Sequence, residues 1–345
     1  MHRAAVSRRR VLRVLAAAPG FLLPGTAPAR DEAPLVTWRG PVLGAAGEIV
    51  LHHPDRVAAE RLLARALAET RRLEGLFSLW RTDSLLSELN RSGVLAAPPP
   101  DMVRLLSEAL RAAELTGGVF DPTVQPVWRL YRSHFEMPGA DPDGPPRAVL
   151  DEALSRVGHR HLRVGPDRVV LARRGMALTL NGIAQGYITD RVAEVLRAGG
   201  VAHTLVELGE VRAVGTHPSG RPWRAALEDP EAPGRLWGGF DLADRALATS
   251  GDGGFVFDLA GRFTHLLDPR SGRSPRLHRA VSVLAPEAAV ADALSTAFAL
   301  MPEAAISAVL GGGSPGVEAH LLRADGGTVR LGGSNSRTVG RAPST

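Results

Sequence analysis

Apolar residues recur every three or four positions in several stretches of this 345-residue chain, which is the spacing of the buried face of an α-helix. The pattern is longest from Asp55 to Phe77. A second helix is predicted from about Asp101 to Leu115, where Gly117 and Gly118 end it. The same spacing predicts a short helix that ends at Asn90 and helices over about Ile183–Ala198, Ala288–Leu300 and Pro302–Leu310.

Short apolar runs between these helices predict strands. They lie at Val169–Leu171, Ala177–Leu180, Thr204–Leu208, Trp223–Leu227, Ala246–Thr249, Phe255–Leu259 and Ala280–Leu284, with a last hairpin near Val317–Leu331. Helices and strands intermix without a regular strand–helix–strand alternation, so the pattern favours an α+β fold with mostly antiparallel strands. No break in composition divides the body. We therefore expect one domain over residues 34–332 and a disordered Gly-, Ser- and Arg-rich tail over residues 333–345.

The first 29 residues have the pattern of an export signal. Arg8, Arg9 and Arg10 precede a short apolar stretch from Val14 to Leu23, and Ala27-Pro28-Ala29 places small residues where a signal peptidase cleaves. An arginine pair before a mildly apolar stretch predicts a twin-arginine signal and a periplasmic location. No later segment is apolar over the roughly 20 residues that a membrane-spanning helix needs, so we expect no integral membrane segment.

Composition excludes several kinds of chemistry. The chain has no cysteine and all of its 41 basic residues are arginine, which excludes disulfides, thiolate metal sites, a cysteine nucleophile and a catalytic lysine. Five of the arginines fall in the export signal, and the remaining 36 equal the 36 acidic residues in number. Because a body without net charge lacks the positive surface that binds phosphates, we expect no nucleic-acid partner.

Two segments carry groups that suit an anion and a cation. Asn181-Gly182 joins a predicted strand to a predicted helix, where unpaired amides favour anionic oxygens and the carbonyls before the helix are open to a cation. Asp292 and Thr296 are four residues apart, hence on one helix face, and their oxygens can hold one hard cation. By spacing alone, Asp292 fits better as a first-turn partner of the helix dipole.

Five segments in the order found here resemble the ApbE family, the bacterial Mg²⁺-dependent FAD:protein FMN transferases. They read GGVFDPTVQPVWRLY, NGIAQGYITDRVAEVL, ATSGD, THLLDPRSGRSP and ADALSTAFALM, and the resemblance extends from Trp38 to Leu331. It implies an α+β fold of two similar α/β motifs fused in tandem. It also implies a reaction in which a Thr or Ser hydroxyl of a target protein attacks the FAD diphosphate, releasing AMP and leaving FMN bound through a phosphoester.

The resemblance implies roles for individual residues. Asp292 and Thr296 correspond to Mg²⁺ ligands, and a backbone carbonyl between Gly182 and Ala184 is expected to complete the metal site. His265 matches the histidine of the family's H-x-x-D-P motif and is the predicted general base, because an unperturbed imidazole titrates near neutrality. The alternative for this histidine is a structural role at a strand end.

Further positions match the loop that carries the histidine and the stretches that contact flavin. Asp268 is expected to orient the loop. An aromatic residue at position 80 is expected to pack on a ring system, although a plain core position is an equal alternative for it. The positions that correspond to flavin-nucleotide contacts are Leu43, Trp80, Val119, Phe120, Asp121 and Leu266.

The sequence departs from the family's D-L-G-G-I-A-K-G-Y segment at three positions. Thr179 replaces the Asp, Asn181 the second Gly and Gln185 the Lys, so the FAD contacts implied for Thr179 and Gln185 lack their usual charges. These departures motivate one alternative to a transferase, a carrier that holds FAD without turning it over. A second alternative is a pyrophosphatase that splits FAD into FMN and AMP, since it would use the same active site. The resemblance further implies an extracytoplasmic target flavoprotein, and a twin-arginine signal fits the exported branch that serves respiratory flavoproteins and nitrous oxide reduction.

Overall fold

The computed structural model describes residues 12–14, 35–42, 45–229, 232–251 and 253–333. The helices of this part of the chain are α1 (Arg56–Phe77), α2 (Leu85–Ser92), α3 (Pro100–Leu115), α4 (Gln125–Glu136), α5 (Arg147–Leu154), α6 (Ala184–Ala198), α7 (Ala288–Phe298) and α8 (Glu303–Gly311). Its strands are β1 (Leu12–Val14), β2 (Leu35–Val42), β3 (Ala45–His52), β4 (Val94–Ala96), β5 (Leu162–Val164), β6 (Arg168–Leu171), β7 (Thr204–Glu207), β8 (Val211–Val214), β9 (Trp223–Asp229), β10 (Ala232–Leu242), β11 (Ala246–Gly251), β12 (His278–Ala285), β13 (Glu318–Arg323) and β14 (Thr328–Gly332).

The central sheet contains eight strands in the order β14-β13-β12-β11-β8-β7-β3-β2, and every neighbouring pair is antiparallel. Its two halves are built alike. Helices α1 and α6 pack against the half formed by β2, β3, β7 and β8, whereas α7 and α8 pack against the half formed by β11 to β14. The halves meet where β8 pairs with β11 and where α6 packs on α7. The structure confirms the predicted α+β fold of two similar α/β motifs in a single domain.

The side chains of the central strands alternate between the two faces of the sheet. On β3, Ile49 and Leu51 belong to the large core beneath the helices, whereas Val50 lies on the opposite face. There the β9–β10 hairpin covers the sheet with Trp223 and Phe240. Burial on both faces explains why a strand such as β12 has a nearly continuous apolar run rather than a strict alternation.

The predicted helices are confirmed, with ends that shift by no more than two residues. Helix α1 begins where Asp55 accepts hydrogen bonds from the amides of Val57 and Ala58 at 2.8 and 3.1 Å. Helix α3 ends before Gly117, whose φ of 62° lies in the left-handed region that glycine adopts without strain. The predicted end of α3 at Gly117 and Gly118 is therefore confirmed.

One predicted strand, Ala177–Leu180, is wrong. The segment is mostly buried but has no regular secondary structure, and its backbone hydrogen bonds go to groups outside any strand. The side chain of Asn90 donates to the carbonyl of Leu178 at 2.9 Å and accepts from its amide at 2.6 Å, and the amide of Thr179 donates to the carbonyl of Pro122 at 2.8 Å. An asparagine side chain thus takes the place of a strand.

The predicted strand Phe255–Leu259 is also wrong. Only an isolated bridge joins Val256 to Thr264, and Phe255 and Phe257 turn toward Trp128 instead. The other predicted strands and the last hairpin are present, with small changes at their ends. The segment from 255 to 274 is therefore a loop whose conformation depends on aromatic packing, which sequence periodicity does not report.

The elements that the sequence did not predict are β1, β2, β3, β4, β5, β8, β10, α4 and α5. Helices α4 and α5 matter most for the site, because Val127 and Tyr131 of α4 and Leu150 of α5 form a small core with Leu267. This core lies beneath the loop that carries His265. Each helix alone has only a short apolar face, so the pair is stabilised by mutual packing that a local pattern does not reveal.

The predicted export signal lies largely outside the described residues, as do Leu43 and the tail beyond Gly333. Within the signal, Leu12–Val14 form the short strand β1, which pairs antiparallel with β9. No helix in the described part of the chain is long and apolar enough to cross a membrane.

Candidate active site

Helices α6 and α7 meet at a backbone contact that places Asp292. A Cβ atom on Gly186 would lie only 2.2 Å from the carbonyl oxygen of Ala288, so only glycine allows this approach. At the same crossing the amide of Gly186 donates to Oδ2 of Asp292 at 3.1 Å. The Asp292 side chain is buried, with the residue 4% exposed. Its position is therefore fixed by the neighbouring helix.

The loop before α6 meets α7 one turn further along. A Cβ atom on Gly182 would lie 2.9 Å from Oγ1 of Thr296, so the two residues are in direct contact. Strand β11 adds the hydroxyl of Ser250, which lies 3.5 Å from Oγ1 of Thr296. The fold thus brings three of the predicted metal ligands, Gly182, Asp292 and Thr296, to one place. The fourth predicted ligand, Ala184, is the first residue of α6. A carbonyl at this position accepts a hydrogen bond within the helix, so it is less available to a metal.

These groups suit a hard cation. They are a carboxylate, a hydroxyl and backbone carbonyls, all oxygen donors of the kind that Mg²⁺ takes, and the absence of a side chain at Gly182 lets its backbone approach Thr296. The residues that the structure describes contain no group of three His, Asp or Glu side chains that could hold a metal. The donor set therefore fits Mg²⁺ if waters and substrate phosphates supply the remaining ligands.

The alternative role for Asp292, a partner of the helix dipole, is wrong. Helix α7 begins at Ala288 and has no acidic residue in its first turn. Asp292 is the fifth residue of the helix, beyond the range in which the dipole acts. Its carboxylate accepts from an amide of α6, so the neighbouring helix, and not the first turn of α7, orients this side chain.

His265 lies on the loop supported by α4 and α5. Its ring and its amide both approach the carbonyl oxygen of Phe255, at 3.2 Å from Nδ1 and 2.9 Å from the backbone nitrogen. Because a carbonyl only accepts, Nδ1 carries the proton and Nε2 is the basic nitrogen of the neutral ring. A Cβ on Gly254 would lie 2.1 Å from Cε1 of His265, so a larger residue at position 254 would displace the ring.

Asp268 organises this loop. Its carboxylate accepts three hydrogen bonds from the backbone and side chain of Arg270, at 2.9 to 3.0 Å, and its amide donates to the carbonyl of Arg273. Burial raises the pKa of Asp268, but these hydrogen bonds and the Arg270 charge outweigh it, so the pKa lies below its usual value. The contacts agree with the predicted role of orienting the loop.

The stretch predicted to contact the flavin nucleotide lies against the predicted metal site. Val119 and Phe120 are buried, and Cε2 of Phe120 is 3.4 Å from where a Cβ on Gly182 would be. The Asp121 carboxylate accepts from both the amide and hydroxyl of Thr123 and from the amide and ring of His159. With four internal donors, the Asp121 carboxylate shapes the loop, and the Asp121 carbonyl also accepts from the amide of Val124 at 3.3 Å.

Trp80 lies on the surface, which excludes the core alternative. It is 63% exposed, and its ring makes an edge contact with Trp128, with centroids 6.4 Å apart. The guanidinium of Arg132 lies over both rings, 5.7 and 5.6 Å from their centroids. Phe255 continues this aromatic surface next to Trp128 and carries the carbonyl that His265 contacts. The surface is open to a planar ligand.

The remaining predicted positions differ in their surroundings. Thr179 is half-buried and its hydroxyl accepts from the amide of Asn181 at 3.3 Å, so it supports the loop before α6. Gln185 is half-buried in the first turn of α6. Leu266 is 6% exposed and belongs to the main core. The contacts of these side chains with FAD stay predictions.

Comparisons with known proteins show the family to which the chain belongs. The sequence matches the model of the ApbE family over residues 43–321. It is 32% identical to the FAD:protein FMN transferase of Vibrio cholerae, over 76% of this chain and 80% of that protein. It is 31% identical to that of Haemophilus influenzae, over 66% of this chain and 68% of that protein. The chain belongs to the ApbE family.

Solved ApbE structures have the same fold. The flavin transferase ApbE from Vibrio cholerae matches with a TM-score of 0.74 at 27% identity, over 86% of this chain and 97% of that chain. The ApbE protein from Thermotoga maritima matches with a TM-score of 0.75 at 28% identity, also over 86% and 97%. This chain therefore contains nearly the whole length of both solved ApbE chains.

Within this ApbE fold, sequence reasoning missed several residues that build the site. Gly186 and Asp190 of α6 contact α7 directly, and Trp128 with Arg132 completes the aromatic surface at Trp80. For α6 a signal was present, since its contact residues follow Gly182 at intervals of four. For Trp128 and Arg132 no local signal exists, because they are neighbours of Trp80 only in the folded chain.

Proposed function

We propose that this protein is an exported, Mg²⁺-dependent enzyme that transfers FMN from FAD to a Ser or Thr hydroxyl of an extracytoplasmic protein and releases AMP. The observation that carries the proposal is the meeting of Gly182, Asp292 and Thr296 beside the buried Phe120. Membership of the ApbE family supports it, because relatives that match most of the chain are named FAD:protein FMN transferases.

The reaction exchanges one phosphorus–oxygen bond for another. The acceptor oxygen forms a bond to the FMN-side phosphorus of FAD, and the bond from this phosphorus to the bridging oxygen breaks. The bridging oxygen leaves with the electron pair as part of AMP, and the acceptor hydroxyl loses its proton to a base. A bound Mg²⁺ supplies charge neutralisation at the diphosphate. Asp292, Thr296 and the carbonyl of Gly182 are the groups that hold it.

His265 is the base in this proposal. With Nδ1 donating to the Phe255 carbonyl, Nε2 of the neutral ring is directed to accept a proton. The ring is half-buried on a loop without regular secondary structure, where an acceptor segment of another protein can reach it. Replacing His265 with Gln is expected to lower transfer by about 100-fold or more, the usual contribution of a general base.

The export signal supports a periplasmic site of action. We infer that Arg8 and Arg9 are read as a twin-arginine pair and that the acceptor is an extracytoplasmic flavoprotein, such as a respiratory one. Cell fractionation checks the location. Replacing both arginines with lysine is expected to leave the protein in the cytoplasm, and unchanged export of that variant would contradict the twin-arginine signal.

The activity is tested with the purified chain, FAD, MgCl₂ and an extracytoplasmic protein fraction of the source organism. We expect a flavin-fluorescent band in a denaturing gel together with AMP. Flavin that survives denaturation shows a covalent bond, and loss of the band after chelation of Mg²⁺ shows the metal dependence.

Two other outcomes would favour the alternatives. AMP and FMN formed at the same rate without acceptor protein would indicate a pyrophosphatase. Tight FAD binding without AMP, in the presence of both acceptor fraction and Mg²⁺, would indicate a carrier. Either result would contradict the proposed transferase.

A further inference from the structure

Helix α7 begins without a cap from its own sequence. Its N-cap residue, Glu287, makes no side-chain hydrogen bond to the first turn. The first amides of a helix have no partner within the helix and need an acceptor from elsewhere. Asp190 of α6 supplies it, because its Oδ1 accepts from the amide of Ala288 and its Oδ2 from the amide of Ala289, both at 2.9 Å.

This contact continues the series between α6 and α7. Gly182 touches Thr296, the amide of Gly186 donates to Asp292, and Asp190 caps Ala288. From one contact to the next, the residue number rises by four along α6 and the loop before it, and falls by four along α7. The two segments therefore run antiparallel through three successive contacts, and Asp190 fixes the end of α7 opposite to Thr296.

A third element holds Asp190. Nε of Arg212, on β8, lies 3.6 Å from Oδ1 of Asp190, and another nitrogen of the same guanidinium donates to the carbonyl of Pro286, just before α7. The Asp190 side chain is 14% exposed. One carboxylate thus links α6, the start of α7 and the central sheet.

Burying the charged carboxylate of Asp190 costs desolvation free energy. Burial raises the pKa of Asp190 to about 6, against the two amide hydrogen bonds and Arg212, which lower it, and Glu287 adds to the rise. A neutral side chain avoids that cost, but only a carboxylate accepts from both amides with two equivalent oxygens. The two-amide contact is therefore the feature that the acid provides.

We propose that Asp190 is a positioning residue that sets the place of α7, and through it of Asp292 and Thr296, relative to Gly182. The inference rests on the proposed function, because it assigns those residues to the Mg²⁺ site. Partners that orient metal ligands change metal affinity by about 10- to 100-fold when they are removed. Loss of Asp190 is thus expected to weaken metal binding although the residue touches no metal.

The test measures metal affinity directly. Mn²⁺, a hard cation with the same preference for oxygen ligands, is titrated into the full chain with saturating FAD, and free Mn²⁺ is read by electron paramagnetic resonance. Asp190→Ala is expected to weaken binding at least about tenfold. Asp190→Asn keeps one acceptor oxygen and should fall between Asp190→Ala and the wild type.

Asp55→Ala is the matched control. Asp55 also caps two amides of a helix start, those of Val57 and Ala58, but this helix is α1, which carries none of the proposed metal ligands. It should lower thermal stability and leave Mn²⁺ affinity unchanged. An equal loss of affinity in Asp55→Ala and Asp190→Ala would reduce the Asp190 effect to general stability and overturn the inference.

Folding of the variants is checked by circular dichroism. If Asp190→Ala does not fold, Asp190→Asn decides, and wild-type Mn²⁺ affinity in any folded Asp190 variant would overturn the inference while leaving the proposed function intact. A wild-type chain that binds no Mn²⁺ with FAD and releases no AMP would instead contradict the proposed function itself.

Discussion

The predicted cation ligands lie on a buried helix, whereas the predicted base lies on a partly exposed loop. Asp292 and Thr296 belong to α7, in which nine of eleven residues are buried, and contacts with the backbone of α6 fix the helix. His265 belongs to a loop without regular secondary structure, next to exposed side chains such as Phe255 at 37% and Leu259 at 106%. One region is part of the core, and the other is part of the surface.

The difference in burial between the two regions fits the size of what each region is proposed to bind. A cation and a diphosphate are small, and their ligands act only when held at fixed distances. In the proposed reaction the base must reach a hydroxyl of another protein, so its surroundings have to be accessible to a large partner. A buried helix suits the first task and a loop supported by a small core suits the second.

The largest expected effect is at Asp292. Asp292→Ala should lower AMP release about 1,000-fold or more, because the metal contributes several kcal/mol and each 1.36 kcal/mol is a factor of ten. Binding of the flavin ring, followed by fluorescence, should change little. Asp325→Ala, in the β13–β14 turn, is the control and should keep full activity. Comparable activity of Asp292→Ala and Asp325→Ala would remove Asp292 from the site.

Two glycine replacements compare the regions directly. In Gly186→Ala the new methyl group meets the backbone of Ala288 and Ala289, so the helices must separate, and we expect a loss of about 3 kcal/mol in the free energy of unfolding. In Gly254→Ala the methyl group meets the His265 ring, which can turn away. We expect a loss of less than about 1 kcal/mol there but a clear loss of transfer activity.

Urea unfolding and AMP release, measured on both variants, check this pair. Gly75 lies in α1 with no atom near its Cβ position, and Gly75→Ala is the control for the substitution itself. It should leave stability equal or slightly higher, since alanine favours helices. A larger loss of stability in Gly254→Ala than in Gly186→Ala would contradict the distinction between the rigid α6–α7 contact and the more adaptable loop that carries His265.

The smallest effect concerns the pH dependence of stability. Burial, with Glu287 nearby, raises the pKa of Glu108 on α3 to about 7, whereas hydrogen bonds from Arg270 leave that of Asp268 below its usual value. Stability from Glu108 is therefore fully present below about pH 4.5 and is lost as the pH rises through 7. The stability contributed by Asp268 is present above the pKa of this carboxyl in the unfolded chain and is lost as the pH falls through its lowered pKa in the folded chain.

Glu108→Gln resembles the protonated side chain at every pH. We expect it to raise the free energy of unfolding by about 1 kcal/mol at pH 8, a value reduced for solvent screening, and by nothing measurable at pH 4.5. Urea unfolding at the two pH values measures this. Glu114→Gln, exposed at the end of the same helix, should change neither value. A stabilisation by Glu108→Gln that is equal at both pH values would argue against the raised pKa.

Elements with strong local signals could be predicted from the amino-acid sequence without the fold. The pattern of α1, the cap at Asp55 and the glycines after α3 are interactions between residues close in the chain, so they can be read without the fold. The four-residue spacing of Asp292 and Thr296 likewise placed them on one helix face. The ordered segments also pointed to the ApbE family, since they are matched as whole stretches.

Tertiary structure alone decided how these pieces form a site. The segment at Leu178 reads as a strand, but Asn90, 88 residues earlier, supplies its hydrogen bonds. The first-turn role that spacing favoured for Asp292 fails because α7 starts at Ala288, where a carboxylate of α6 caps it. Both outcomes depend on contacts between residues far apart in the chain, and such contacts leave no periodic trace in the sequence.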